Sequence, residues 1–443
     1  MLKRFRLTNF SSFDAEQTLD LTAGTTKSLK DHVVNFGSVN LLKNCVIYGA
    51  NASGKSNLIK AIDFSQRIIT EGLDSTDTYK KHFRLKTGNS HLPTKFEFEL
   101  EVNKKFYSYS FSCILQEGLI TEEWLYEIGT NKAKKIFERN LDGISIGSEI
   151  SKSNNNTRFE IYIDDMKNQN SQLFLSEIAE KDLDIVEASV INDVFNWFEN
   201  KLEIIYPGDS FCGVRRVNKD LTKELTKYLS KFDTGVVSID TIEEDFEDAF
   251  KNYPDGLKAQ ILKSSSSDEF KEASFHAAGD NPEFLTIYRN KSSELKVRKL
   301  AFIHGHDYKD TFELKDESDG TRRLLDFIPL IAKLAVDSTI IVDEFDRSLH
   351  PKITREFMNI FHALKGTNSQ FIVTTHESTL LDLELLRRDE IWFVDKSKNG
   401  NSKLFSLNKF KERYDKKVEK AYLLGRYGAV PVFKSFENVN WDE

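Results

Sequence analysis

The chain has 443 residues, a net charge of −8, and three cysteines, Cys45, Cys113 and Cys212, set far apart. That length gives room for two or three domains, and the cysteine spacing fits neither a disulfide framework nor a metal site. No apolar run approaches the ~18 residues of a membrane span and the opening MLKRFRLTNF lacks a signal-peptide core, so a cytoplasmic protein without a membrane partner is expected. The acidic balance offers nucleic acid no attraction from the molecule as a whole and leaves only local basic patches.

In chain order, Leu2 to Leu7 alternates and predicts a first strand ending at Asn9. The stretch NCVIYGANASGKSNLIKAI, residues 44–62, then runs from an apolar strand (Cys45 to Tyr48) through a glycine-bounded turn into a helix carrying Leu58, Ile59 and Ile62. Gly49, Gly54, Lys55 and Ser56 fit G-x-x-x-x-G-K-[ST], the loop whose backbone N–H groups cradle phosphates. The following helix adds the positive end of its dipole. Lys55 is expected to reach the β- and γ-phosphates, and the Ser56 hydroxyl to ligate Mg²⁺. Residues 94–128 alternate over long runs and predict a β-meander. GSEISKSNNNTRFE reads as a loop, the region from about 170 to 265 as helical, and KSSSSDEF as an exposed break. Strand patterns return at EFLTIYR and KLAFIHGH. No internal repeat and no sustained heptads occur.

The last third is dense in signals. In DSTIIVDEFDRSLHP a buried strand, Thr339 to Val342, ends in Asp343 and Glu344. An aspartate there can hold Mg²⁺ with its waters, and a neighbouring glutamate can polarise the attacking water. SQFIVTTHES predicts a second buried strand, Phe371 to Thr374, that delivers His376 to its tip as a γ-phosphate sensor. Upstream, the turn Ser318 to Gly320 opens an amphipathic helix (Leu324, Leu325, Ile328, Ile331, Ala332), and its free N–H groups and hydroxyl suit an anion. The acidic run KDLDIVE at 181–187 reads as a solvated helix face.

Taken together these features resemble an ATP-binding-cassette ATPase of the SMC/RecF/OLD type: GANASGKSN for the phosphate loop, SDGT for the signature, IIVDEFDRSLHP for Walker B with its D-loop, TTHE for the switch histidine, and FRLTNFSSF for the first strand. The compact length and the terminal KKVEKAYLLGRYGAVPVF resemble the AbiLi/RloA group of bacterial abortive-infection ATPases, with the ATPase of PARIS defence systems as a relative. The resemblance implies an α/β fold with a mixed central sheet and an N-terminal antiparallel β-subdomain, the chain dividing into an N-terminal ATPase half with the phosphate loop and meander (1–165), a mainly helical insertion (166–280) and a C-terminal ATPase half with signature, Walker B, switch histidine and terminal helix (281–443). It implies ATP phosphates on Gly49, Asn51, Gly54, Lys55, Ser56 and Asn57, and Mg²⁺ on Ser56 and Asp343. Glu344 would be the catalytic carboxylate and His376 the sensor. Ser318 and Gly320 would contact the γ-phosphate of an opposite subunit, and Ser348 to His350 would lie at the dimer interface. The signature is degenerate, and neither Gln66 nor Gln116 sits where a Q-loop would.

The expected function is therefore an ATP-hydrolysing dimer or higher homo-oligomer that controls a separately encoded effector, RloB-like or of Toprim type, in anti-phage defence, with a phage protein or DNA as trigger. Only residues 377–443 follow His376, too few for a Toprim nuclease domain, so no nuclease is expected in this chain. The competing reading is a DNA-binding SMC/RecF-like repair or maintenance ATPase, kept open by basic runs such as RLKT and GVRRVNK. A transporter ATPase subunit is disfavoured by the degenerate signature and the large insertion. The apolar tail AYLLGRYGAVPVF either closes its own domain or docks another subunit, with Arg426 as anchor.

Overall fold

The computed structural model describes residues 1–26, 28–129, 132–151, 156–166, 169–181, 189–209, 217–267, 270–277, 283–410 and 418–431. The acidic run after Lys181, the arginines of GVRRVNK, Cys212 and the last residues of the tail lie outside the described residues. Two units divide the chain: one takes Met1–Pro207, Leu334–Asp346 and the chain from Arg355 on, the other Gly208–Lys333 and Arg347–Thr354.

The chain opens with β1 (Leu2–Thr8), β2 (Gln17–Asp20), β3 (Val33–Phe36), β4 (Val39–Leu42), β5 (Asn44–Tyr48) and α1 (Lys55–Glu71). The meander follows as β6 (Thr94–Val102), β7 (Lys105–Ile114), β8 (Leu119–Ile128), β9 (Ala133–Asn140) and β10 (Gly143–Ile146). Then come α2 (Ser148–Ser151), α3 (Asn156–Met166), α4 (Phe174–Glu180), α5 (Ser189–Asn196) and β11 (Leu202–Ile205). The second unit carries α6 (Lys219–Leu229), β12 (Val236–Asp245), α7 (Phe246–Ala249), α8 (Asp255–Ser264), β13 (Glu272–Ala277), β14 (Glu283–Arg289), β15 (Leu295–His304), β16 (Asp310–Phe312) and α9 (Asp319–Leu334). The remainder is β17 (Thr339–Val342), α10 (Pro351–Ala363), β18 (Gln370–Thr374), β19 (Ile391–Lys396), β20 (Ser402–Ser406) and α11 (Val418–Leu423).

The first unit holds an antiparallel sheet ordered β10-β9-β8-β7-β6-β1-β2 and a mixed sheet ordered β11-β17-β18-β5-β19-β20. In the mixed sheet β11, β17, β18, β5 and β19 run parallel, and β20 closes the edge antiparallel to β19. Every residue of β5, β17 and β18 is buried. That is why they read as unbroken apolar runs while the meander strands alternate. Phe5, Phe10, Phe64, Phe96 and Phe98 interlock between the antiparallel sheet and α1.

In the second unit β12, β15, β14 and β13 form an antiparallel sheet, with β16 added on β15. Phe246, Phe250, Leu285, Ile287 and Val297 make a small core beneath it. The segment 166–280, expected to be mainly helical, thus contains β11, β12 and β13 beside its helices. The difference has a local cause. LEII is too short to show a period, and VVSIDTIEED carries acids on both faces, Asp240 and Glu244 on one and Glu243 and Asp245 on the other; in both, the neighbouring strand decides the conformation.

The tail packs on its own sheet. Tyr422 and Tyr427 stack on Phe393 of β19, with ring centroids 5.6 and 5.4 Å away. Tyr422 Oη donates to Ala429 O (3.1 Å), and Ala429 N–H donates to Asp395 Oδ1 (3.2 Å). The aromatic residues therefore close their own domain, while Leu423, Leu424 and Arg426 stay exposed.

Candidate nucleotide site

Because β17, β18 and β5 are neighbours in parallel register, with Val342 beside Val373 and Val373 beside Val46, their C-terminal ends share one edge of the sheet. That edge is where open α/β sheets bind ligands. β5 delivers Gly49 there, β17 delivers Asp343 and Glu344, and β18 delivers Thr374 to His376.

The turn after β5 has the strained geometry a phosphate cradle needs. Ala52 has φ 60° and Gly54 φ 115°, both left-handed. A Cβ on Gly49 would sit 2.5 Å from Ser53 Oγ and from Val394 O, and one on Gly54 would run into Ser402 and Ser12. Glycine is thus required at both positions by space, and at Gly54 by φ as well. Ser402 Oγ lies 2.5 Å from Ser53 O and 2.8 Å from Ser12 Oγ, and Asn57 Nδ2 donates to Ser12 Oγ at 2.9 Å. Two distant serines therefore brace the loop from behind. The Asn57 amide faces this brace, whereas Asn51 is exposed at the loop's crest.

Lys55 is 5 % exposed, and its Nζ donates to Gly49 O (2.9 Å) and reaches His376 Nε2 at 3.0 Å. Burial pulls the Lys55 ammonium down to about 8, against the opposing pull of Asp343, Asp346 and Glu344. Partial desolvation of the ring and then the Lys55 charge push His376 below its ordinary value, which suits a neutral imidazole accepting from Lys55. His376 N–H faces the Asp346 carboxylate at 3.2 and 3.3 Å, so that aspartate fixes the backbone carrying the imidazole.

Thr374 ties the carboxylates to this arrangement. Its Oγ1 donates to Asp343 Oδ1 at 2.5 Å and accepts from Glu344 N–H at 2.9 Å. Its carbonyl accepts from Phe345 N–H at 2.9 Å. Asp343 is 3 % exposed, and Glu344 turns with φ 50°, a conformation that lifts its side chain off the strand direction. Sequence reasoning singled out Asp343, Glu344 and His376 but missed Thr374, Asp346, Ser12 and Ser402. TTHE and DEFD held the first two in plain view; nothing in the sequence pointed to Ser402, some 350 residues from the loop it supports.

The donor set fits a nucleotide with Mg²⁺. Ser53 Oγ is buried in the cradle with no hydrogen-bond partner among the described residues. One buried carboxylate and the Ser56 hydroxyl are what Mg²⁺ takes from a protein when phosphate oxygens and water supply the rest. Among the described residues no cluster of three or more His, Cys, Asp or Glu could hold a metal by itself.

Ser318, Gly320 and Ser348 to His350 belong to the second unit. There Ser318 Oγ accepts from Thr321 N–H at 3.1 Å and caps α9. A Cβ on Gly320 would meet Ser348 O at 3.1 Å, so the signature turn and the D-loop are in contact with each other. Gln66, in α1, donates to Phe198 O and Leu202 O (2.5 and 3.0 Å), and Gln116 lies in the β7–β8 turn.

Solved heads of SMC proteins match the chain at low identity. A SmcHead bound to the C-winged helix domain of ScpA matches at 14 % identity and TM-score 0.43, covering 91 % of this chain and 97 % of that one. The SMC head domain from Thermotoga maritima matches at 14 % identity and TM-score 0.37, covering 91 % and 98 %. An Smc head domain with an extended coiled coil, bound to the C-terminal domain of ScpA derived from Pyrococcus furiosus, matches at 13 % identity and TM-score 0.39, covering 96 % and 98 %. No curated protein matches the sequence. A family model matches residues 45–382, from the strand before the phosphate loop to just past the histidine, and by that match the chain belongs to the AAA_21 family, described as AAA domain, putative AbiEii toxin, Type IV TA system.

Proposed function

We propose that this protein is an ATPase that dimerises around ATP and, through that cycle, controls a separately encoded effector in bacterial anti-phage defence. The catalytic half rests on one observation: Lys55, Asp343, Glu344 and His376 converge at one edge of the mixed sheet. In this reading the loop from Gly49 to Ser56 holds the phosphates, and Lys55 exchanges its loop carbonyls for phosphate oxygens. Ser56 and Asp343 would hold Mg²⁺, which would supply charge neutralisation on the phosphates. Glu344 draws a proton from the attacking water, and His376, released from Lys55 and carrying its ring proton on Nε2 instead of Nδ1, donates a hydrogen bond to the γ-phosphate as charge develops there. Ser318 and Gly320 contact the γ-phosphate held by a second copy, with Ser348 to His350 at the shared interface.

The defence half is supported by the family description, which names a putative toxin of a Type IV toxin–antitoxin system, and by the resemblance of the terminal segment to abortive-infection ATPases. Among the described residues no helix is long and apolar enough to cross a membrane, in keeping with action in the cytoplasm. Phosphate release by the purified protein, light scattering with ATP, and plaque counts from cells carrying the gene with its genomic neighbour test the two halves separately. His376→Ala is expected to reduce turnover more than ATP affinity. Absence of turnover sinks the catalytic half, and equal plaquing with and without the gene pair sinks the defence half.

A further inference from the structure

Between α1 and β6 the chain runs from Gly72 to Pro93 with one 3-10 turn, Asn89–His91, as its only regular element. Loops longer than about 12–15 residues without structure of their own are uncommon and usually carry function. This one is held in a single shape. Asn9 Nδ2 donates to Asn89 O (2.9 Å) and Leu92 O (3.0 Å), and Asn9 Oδ1 accepts from Phe83 N–H (3.2 Å). Ser11 N–H donates to Lys81 O (2.6 Å), and Phe83 is buried beneath the loop.

The anchored loop presents charge of the opposite sign to the chain. From Thr78 to Pro93 it carries Lys80, Lys81, Arg84 and Lys86 and no acidic residue, in a molecule of net charge −8. Lys81 and Lys86 pair with Asp77 and Asp14 at 3.3 and 3.5 Å, but among the described residues neither Lys80 nor Arg84 has an ionic partner. Tyr79 is 71 % exposed, with Lys80 Nζ 4.5 Å from the centre of its ring, so one face is held by a cation and the other is open. Thr76, Tyr79, Lys80, His82, Arg84 and Gln116 line a cavity of about 570 Å³, within the range of roughly 300–1,000 Å³ that holds small organic groups. Partial burial, then Arg84 and His91, keep His82 below its ordinary value, and the one carboxylate lining the cavity among the described residues, Asp77, is paired with Lys81.

We infer that this loop binds single-stranded nucleic acid, with a base stacked on Tyr79 and backbone phosphates on Lys80 and Arg84. The Thr76 hydroxyl, whose proton goes to Gly72 O at 3.0 Å, can still accept from a base amino group, and the amide of Gln116 offers both a donor and an acceptor to the base edge. An open aromatic face beside unpaired cations is the combination that strand binding uses, and a concave site reaches only an unstacked base. A duplex keeps its bases stacked, and an acidic peptide would engage the cations but leave the ring without a role. The site needs neither ATP nor the catalytic carboxylates.

Fluorescence anisotropy with a labelled oligo-dA strand tests it on the full chain. Tyr79→Ala is expected to weaken strand binding roughly tenfold, and Arg84→Ser to lower the slope of log affinity against log salt by about one. Melting temperature and ATP turnover should hold in both. Lys55→Ala, which disables the phosphate loop, should still bind the strand, so this site and the ATPase reading fail separately. Competition by duplex or by polyglutamate as effective as by the strand itself would overturn the inference. So would wild-type affinity in Tyr79→Ala, or no binding at low salt.

Discussion

Lys55 Nζ and His376 Nε2 lie 3.0 Å apart, a cation and a lowered-pKa imidazole facing each other where phosphates would enter. Lys55 also donates to Gly49 O and Ala50 O, so its ammonium is fully engaged by its own chain. An arriving phosphate must replace these partners and can repay them, since it faces the ammonium with a full negative charge where the carbonyls and the imidazole offer only dipoles. Lys55→Ala should therefore lower ATP affinity at least roughly tenfold, measured by titration with a fluorescent ATP analogue. An unchanged affinity means that the loop is not a phosphate site.

The same lysine predicts a pH dependence. Its value is depressed from 10.5 to about 8, so the free site carries the ammonium below about pH 8 and loses it above. Bound phosphate restores the charged form, and binding above pH 8 must take up a proton. ATP affinity should be flat from neutrality to about 8 and then fall by up to about tenfold per pH unit. Lys55→Arg should abolish the fall. A flat wild-type profile through pH 9.5 contradicts the depressed ammonium.

Glu344 stands beside Asp343 but, unlike it, is only half-buried, which leaves its carboxylate to solvent and substrate. Glu344→Gln should retain ATP affinity while turnover drops by roughly 10²–10⁴, and a nucleotide-bound dimer should accumulate in light scattering. Wild-type turnover in this variant removes Glu344 from the chemistry.

Thr374 is fully buried and serves Asp343 and Glu344 at once. Thr374→Val keeps the shape but leaves Glu344 N–H without its acceptor, at a cost of about 1–3 kcal/mol. Urea unfolding should show that loss. Turnover should fall further than ATP affinity, because both carboxylates lose their common support, and Thr374→Ser should restore it. If stability falls with turnover per folded molecule intact, Thr374 is structural only.

Remote from the site, His362 of α10 stacks on His32 with ring centroids 3.7 Å apart, and His32 Nδ1 lies 2.9 Å from Glu390 Oε1. Burial first, then His32 and Lys43, push His362 down to about 3 from its ordinary 6.5. Its folded-state value is the lower one, so its contribution to stability is intact above pH 6.5 and is lost as pH falls from 6.5 towards 3. The loss is at most about 1.4 kcal/mol per pH unit. His362→Phe keeps the ring and removes the proton site, and its melting temperature should fall less steeply than wild type between pH 6.5 and 4.5. Parallel curves would falsify the assignment.

The sequence alone determined the local features of the site. Gly49, Gly54 and Lys55 could be recognised because a phosphate cradle demands those residue types at that spacing, and space and φ in the folded loop agree. β5, β17 and β18 were legible because strands buried on both faces have continuous apolar centres, residues 45–48, 340–342 and 371–373, and the meander because its strands alternate. Tertiary structure decided whatever depends on partners far along the chain. VVSIDTIEED became β12 by pairing with β15, although its own pattern is ambiguous. The tail's aromatic residues found their role only once Phe393 lay beneath them. Ser12 and Ser402 brace the phosphate loop through hydroxyl groups that any surface serine also carries. A hydrogen bond between residues hundreds of positions apart leaves no local period, so only the packed sheet that brings the strand ends together could assign those serines their role.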